Sequence, residues 1–284
     1  MQQPNVVLQK QRPFQPWGAI NYNGAPSGIQ NFNQLQLELI KHFSNGLSMQ
    51  AEYNWTRSLD DVPVAASYNN PWCYRCDYGP SDYQTPQRLV FDYLYELPVG
   101  EGRHWLNQKG VANAVLGGWE IAGITTYSAG IPTTGASQLT FTVPTNIIGW
   151  WGGRPDRVAG VPLYAGRQHS HDIVDGVQWF NPAAFAPPQK WTYGDAPRNV
   201  IWGPGSENWD MSLMKTFALK ESLRMQIRAD WFDAFNHFNL ANPALSPGLT
   251  LGDIRDGGVA TPNFGKTFSG SGSRIIQLAA RLIF

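Results

Sequence analysis

Two cysteines, a histidine pair and a set of loop tryptophans are the residues of this chain whose types and spacing could do chemistry. Cys73 and Cys76 stand in Trp72-Cys-Tyr-Arg-Cys-Asp77, a spacing that serves a redox dithiol, half of a zinc site or a local disulfide. The chain has only these 2 cysteines, so a four-thiolate site cannot form within it. His169-Ser-His171-Asp172 gathers two imidazoles and a carboxylate, yet His-x-His on a polar loop is more often solvated than metal-bound. Ser170 and the scattered histidines invite comparison with outer-membrane phospholipases. No serine sits in a nucleophile elbow, however, and no base can be assigned to one. The expectation is a chain that is not an enzyme and holds neither metal nor cofactor.

Trp150, Trp151, Trp179, Trp191 and Trp202 could stack on a sugar or another ring, because indoles bury much area with few rotors. The plainer reading is that they pack long loops against one another. Gly257-Gly258 and Gly270-Ser-Gly272 lack the strand-to-helix setting of a phosphate loop and read as turns.

The elements that would position these residues are strands. The chain carries 21 basic and 21 acidic residues, so no global field calls for nucleic acid. Charged residues are 15%, below the usual quarter, while aromatic residues, Gly and Pro are plentiful, which favours strands and turns. No apolar run reaches the length of a membrane-spanning helix. Alternation of apolar and polar residues marks strands at 35–43, 47–57, 89–97, 119–127, 209–219 and 223–231. A less regular strand is expected at 16–22.

The last strand is the most telling. Ile276, Leu278, Ala280, Leu282 and Phe284 fall on one side, and Ile275, Gln277, Ala279 and Arg281 on the other. A strand of about ten residues can cross a bilayer at a tilt, and a terminal Phe would sit in an interfacial aromatic girdle. Phe284, Leu282, Ala280 and Leu278 resemble the C-terminal signal that barrel-assembly machinery reads. The polar positions of all these strands, Glu38, Glu52, Arg88, Asp92, Glu96, Glu120, Arg224, Arg228, Asp230 and Arg281, would line a lumen and pair with one another or with a plug. Lys41 and Lys215 break the apolar side, but both lie near strand ends, where a long stem can snorkel.

Ser44-Asn-Gly46 and Lys220-Glu-Ser222 are tight hairpin turns. The connections 59–86, 129–207 and 236–272 are long, and 98–116 is of middling length. Short turns on the periplasmic side and long loops outside are the habit of bacterial barrels. If 98–116 is periplasmic, every connection falls on its proper side. Cys73 and Cys76 then lie on an outer loop in an oxidising compartment, where a local disulfide is the preferred reading, with free thiols next. A soluble β-sandwich is the alternative, although its exposed strand faces seldom carry so little Lys.

Several stretches resemble the C-terminal barrel of TonB-dependent receptors, in particular the Oar-like group with a carboxypeptidase-regulatory-like domain. They are Leu35-Gln-Leu-Glu-Leu with Phe43-Ser-Asn-Gly-Leu47, Tyr78-Gly-Pro-Ser-Asp82, Tyr95-Glu-Leu-Pro-Val-Gly100 and Gly118-Trp-Glu-Ile-Ala-Gly123. Trp179-Phe-Asn-Pro-Ala-Ala-Phe185, Gly203-Pro-Gly205 with Asn208-Trp-Asp210, and Phe235-Asn-His-Phe-Asn239 complete the set. The resemblance implies an all-β fold, an antiparallel transmembrane β-barrel segment of about seven or eight strands within a barrel of about twenty-two. It also implies the outer membrane of a Gram-negative bacterium, membrane lipid as partner, and ligand uptake coupled to the TonB complex.

Residues 1–284 would then be the C-terminal part of such a barrel, without plug or N-terminal domain, so that TonB is reached only through the missing part. The N-terminus has no basic flank, apolar core or cleavage site, which fits a portion of a longer chain. The competing expectations are a complete eight-stranded structural or adhesive barrel and a soluble ligand-binding β-protein.

Overall fold

The computed structural model describes residues 28–62, 68, 70, 73–133, 154–164, 173–186, 192–220, 222–243 and 264–284. Seven long strands make one antiparallel meander: β1 (Gln30–Ser44), β2 (Leu47–Asp60), β3 (Gln87–Glu96), β4 (Trp119–Ser128), β5 (Ser206–Lys220), β6 (Leu223–Phe232) and β7 (Ile275–Ile283). Among the described residues each pairs only with its neighbours in sequence, apart from a short side pairing of Gly79–Pro80 with the end of β2. β1 and β7 do not pair with each other among the described residues, so the sheet is open. All seven strands lie where alternation locates them; β1 starts five residues earlier, at Gln30. The weaker expectation at 16–22 lies outside the described residues.

The register follows from tight turns. Asn45 (φ 52°) and Gly46 (φ 79°) both take positive φ, the pattern of a two-residue turn whose twist suits a hairpin. A Cβ on Gly46 would stand 2.9 Å from the Glu96 carbonyl oxygen, so the neighbouring strand also demands glycine there. This turn, the 97–118 connection, the β5–β6 turn and Phe284 gather at one end of the sheet. The three long connections leave from the other end.

Burial is inverted relative to a water-soluble sheet protein. The described buried apolar side chains, which include Phe180, Ala184, Phe185, Ala196, Ile201 and Phe264, all belong to the long loops. Leu35, Leu37, Leu39, Ile276, Leu278 and Leu282, on the edge strands of the sheet, are exposed. Phe180 meets both Phe185 and Phe264 edge-on, closing a small loop core that short strand pairs stitch together. Those pairs join 156–157 to 185–186 and 177–178 to 266–267.

Candidate functional site

The cross-strand register puts all ten predicted polar-face residues on one side of the sheet. Glu38 stands opposite Glu52, Glu96 opposite Glu120, and Asp230 opposite Ser212 and Gln277. Arg88 lies opposite Asn54 and Ser128, Asp92 opposite Gln50 and Ile124. Arg224, Arg228 and Arg281 fall on the same side. Val90, Leu94, Ile124 and Met214 share this face, so it is polar without being uniformly so.

Its side chains pair laterally. Gln50 donates to Glu38 at 2.8 Å, while Gln36 and Asn54 both donate to Glu52 at 2.9 Å. Arg228 binds the Asp230 carboxylate at 2.6 Å, and the Ser212 hydroxyl donates to the same oxygen. A hollow of about 400 Å³ opens here, with Asp92, Asp210, Asp230 and Arg228 in its lining and the small Ala122 and Gly123 beneath. Such a wall can hydrogen-bond a polar solute or a packed protein segment.

Above the long-loop end, two arginines lock separate loops together. Arg198, with only 5% of its surface exposed, reaches the Asp60 carboxylate at 2.6 Å and that of Asp82 at 3.1 Å. It also donates to the Asp60 carbonyl. Asn199 takes a left-handed φ of 56°, which Asn tolerates, and its amide donates at 2.6 Å to both the Pro80 carbonyl and Asp82. Arg154 binds the Asp77 carboxylate at 2.7 Å and the Cys76 carbonyl at 3.0 Å. Burial lowers the Arg154 pKa, and the Asp77 charge opposes that shift. Cys73 and Cys76 are bonded to each other, tying the one-turn helix Tyr74–Asp77, which presents Asp77 to Arg154, to the residue before it.

Trp179 and Trp202 come together in the same cap. The Trp179 indole N–H donates to the Trp202 carbonyl at 2.7 Å, and the Trp202 N–H donates to the Tyr164 hydroxyl. Tyr164 meets the Trp179 ring edge-on. Trp150, Trp151, Trp191 and the His169–Asp172 cluster lie outside the described residues. Arg154, Arg198 and Asn199 were not legible as functional residues in the sequence. Asp82, on which Arg198 and Asn199 converge, and Asp77, which Arg154 binds, do sit in or beside the Tyr78-Gly-Pro-Ser-Asp82 stretch.

A family model described as outer membrane beta barrel domain matches residues 2–277. The chain belongs to this family. It is an antiparallel barrel domain of the bacterial outer membrane. Among solved structures, it is similar to the outer membrane transporter YddB from Escherichia coli, at 10% identity and a TM-score of 0.37. That similarity covers 90% of this chain and 25% of the transporter, so the chain spans a quarter of that protein's length. No curated protein matches.

For an outer-membrane barrel domain, the exposed apolar face of the sheet is the face toward lipid. Aromatic residues bound it at both ends. Tyr127 and Trp209 meet edge-on near the loop end, and Trp119 and Phe217 stand near the turn end. The two members on each strand are eight residues apart, about 26 Å along the strand and about 20 Å along the membrane normal at a tilt of about 40°. That is the scale of an outward apolar band.

Both lysines on this face reach backbone acceptors at the turn end, and Lys215 is buried there rather than snorkelling into water. Lys215 donates to the carbonyls of Val115 (2.9 Å) and Gly117 (2.6 Å) and lies over the Trp119 and Phe217 rings. Lys41 reaches the Ser44 carbonyl and hydroxyl and the Leu47 carbonyl at the hairpin turn.

Gly123 lies on the lipid side opposite Tyr93. A Cβ there would stand 2.7 Å from the Tyr93 hydroxyl oxygen and 2.9 Å from the Asp210 carbonyl oxygen. Gly123→Ala is therefore expected to cost the barrel domain about 1–3 kcal/mol by overpacking, read as a shifted urea midpoint in lipid vesicles. Removing the ring with Tyr93→Leu should recover only part of that loss, since the Asp210 backbone cannot withdraw. Full recovery would assign the strain to the ring alone.

Proposed function

We propose that this domain is the C-terminal wall of a TonB-dependent receptor-like transporter that takes up a ligand through a barrel of about twenty-two strands. The observation that supports it is that the described residues form an open seven-stranded sheet, polar on one face and apolar on the other. In lipid an unpaired strand edge leaves backbone N–H and C=O groups unsatisfied, at several kcal/mol each, so both edges must pair with further strands. The polar face would then line a lumen where a plug packs, and the arginine-locked cap would hold the outer loops in place where a ligand arrives. Phe284, Leu282, Ala280 and Leu278 would be read by the assembly machinery as β7 enters the wall. The domain is non-catalytic on this reading. TonB would act through a plug contributed by another part of the protein.

Edge separation tests the wall. β1 and β7 lie six strand spacings apart, about 29 Å along the wall. Gln36→Cys with Gln277→Cys, in the full-length protein in native outer membranes, should resist a bifunctional maleimide that spans about 10 Å, a reach of two strand spacings. The neighbouring pair Glu38→Cys with Glu52→Cys should react. Efficient cross-linking of Gln36→Cys to Gln277→Cys would instead support a closed eight-stranded barrel. The coupling itself is tested by passing detergent extracts of those membranes over the host's own TonB periplasmic domain. Retention is expected, and its failure alongside a retained known receptor would remove TonB from the reading.

A further inference from the structure

The 97–118 connection folds into a compact strap at the turn end, built around Asn113. The Asn113 side-chain oxygen accepts from the Glu101 N–H at 2.9 Å, and Gly100 and Gly117 approach so closely that a Cβ on either would collide. The strap straddles the sheet. On the polar side Arg103 binds Glu96 at 2.5 Å. On the apolar side Lys215 donates to the Val115 and Gly117 carbonyls, and the Trp119 indole donates to the Val115 carbonyl. The C-terminal end of its short helix, α1 (Val111–Leu116), is thus pinned over the lipid-facing surface.

Successive residues of a helix are about 100° apart. Val111, Ala112, Val115 and Leu116 therefore occupy one arc of about 140°, with Asn113 outside it. That whole apolar arc is exposed, Val111 at 81%, Val115 at 58% and Leu116 at 54%. A polar interior fixed by Asn113 and an uncovered apolar arc reverse the arrangement expected of a turn in water. The arc is continuous with the apolar face of the sheet, past Trp119 and Phe217, and lies at the level of Lys215, whose buried ammonium is held by the carbonyls at the end of α1.

We propose that α1 is an interfacial foot whose apolar arc enters the phospholipid leaflet on the periplasmic side, seating the barrel wall at a fixed depth. The apolar area would be buried at the boundary between headgroups and acyl chains. This rests on the orientation argued above, with short turns on the periplasmic side.

The test is spin labelling of the full-length protein in vesicles of phosphatidylethanolamine and phosphatidylglycerol. Labels are placed one at a time at Val111→Cys, Leu116→Cys, Gln108→Cys and Leu278→Cys. The ratio of oxygen to nickel-chelate accessibility at 111 and 116 should be several-fold above that at 108 and near that at 278. Water-like ratios at 111 and 116 with a lipid-like ratio at 278 would overturn the foot while leaving the barrel wall standing. Labels at 111 and 116 shielded from both reagents would also overturn it, in favour of a protein cover. Water-like ratios at 278 as well would overturn the membrane wall itself, and the foot with it.

Discussion

Replacing Arg198 with alanine should loosen the loop cap by about 3–5 kcal/mol. The guanidinium is buried between Asp60 at the end of β2 and Asp82 in the following loop, although 138 residues of chain separate it from Asp60. Truncating it leaves both carboxylates facing the cap without their cation, and removing one partner of a buried pair costs far more than the pair's net worth. Arg198→Lys should fall between the two, because an ammonium supplies a point charge and not the fork that spans two carboxylates. Hydrogen exchange over residues 177–186 in the membrane-embedded protein reads the effect as lost protection. Unchanged protection in Arg198→Ala would show that the loop core, and not the ion pairs, holds the cap. Arg281→Ala, an exposed cation on β7, should change cap protection by less than about 0.5 kcal/mol.

Leu278→Arg should destabilise the assembled barrel by about 2–4 kcal/mol, whereas Gln277→Arg one residue away should be nearly neutral. Leu278 is 78% exposed on the apolar face, opposite Ala229. It lies six residues from Phe284, about 20 Å along the strand and about 15 Å along the normal at the usual tilt, inside the apolar band and clear of its turn-end girdle. A cation inside that band costs several kcal/mol at most and less toward either girdle. Gln277 points the other way, opposite Asp230, where an arginine gains a carboxylate neighbour in water. Urea titrations in phospholipid vesicles compare the two. Equal losses would mean that the faces are not divided between lipid and lumen as the register divides them.

The strands and their order of faces were legible because a strand's side chains alternate strictly, so a few residues of Leu35-Gln-Leu-Glu-Leu already assign both sides. Turns such as Asn45-Gly46 were legible because their positive φ values select few residue types. Lys41 and Lys215 were read as snorkelling from their nearness to strand ends, but the acceptors were not. The carbonyls of Val115 and Gly117 belong to a strap with too little periodicity to predict. The loop tryptophans were read in two ways; Trp179 and Trp202 are seen packing loop on loop, hydrogen-bonded through Trp202 and Tyr164.

The sequence alone determined an all-β chain of alternating strands, long loops gathered at one end and an amphipathic strand before Phe284. These depend on local rules of side-chain direction and turn geometry, which each segment obeys by itself. Only the tertiary structure decided that the apolar core lies in the loops, that Arg154 and Arg198 clamp the cap, and that α1 turns its apolar arc outward. Those features join residues up to 138 positions apart, and no local pattern encodes which distant carboxylate or carbonyl a buried cation will find.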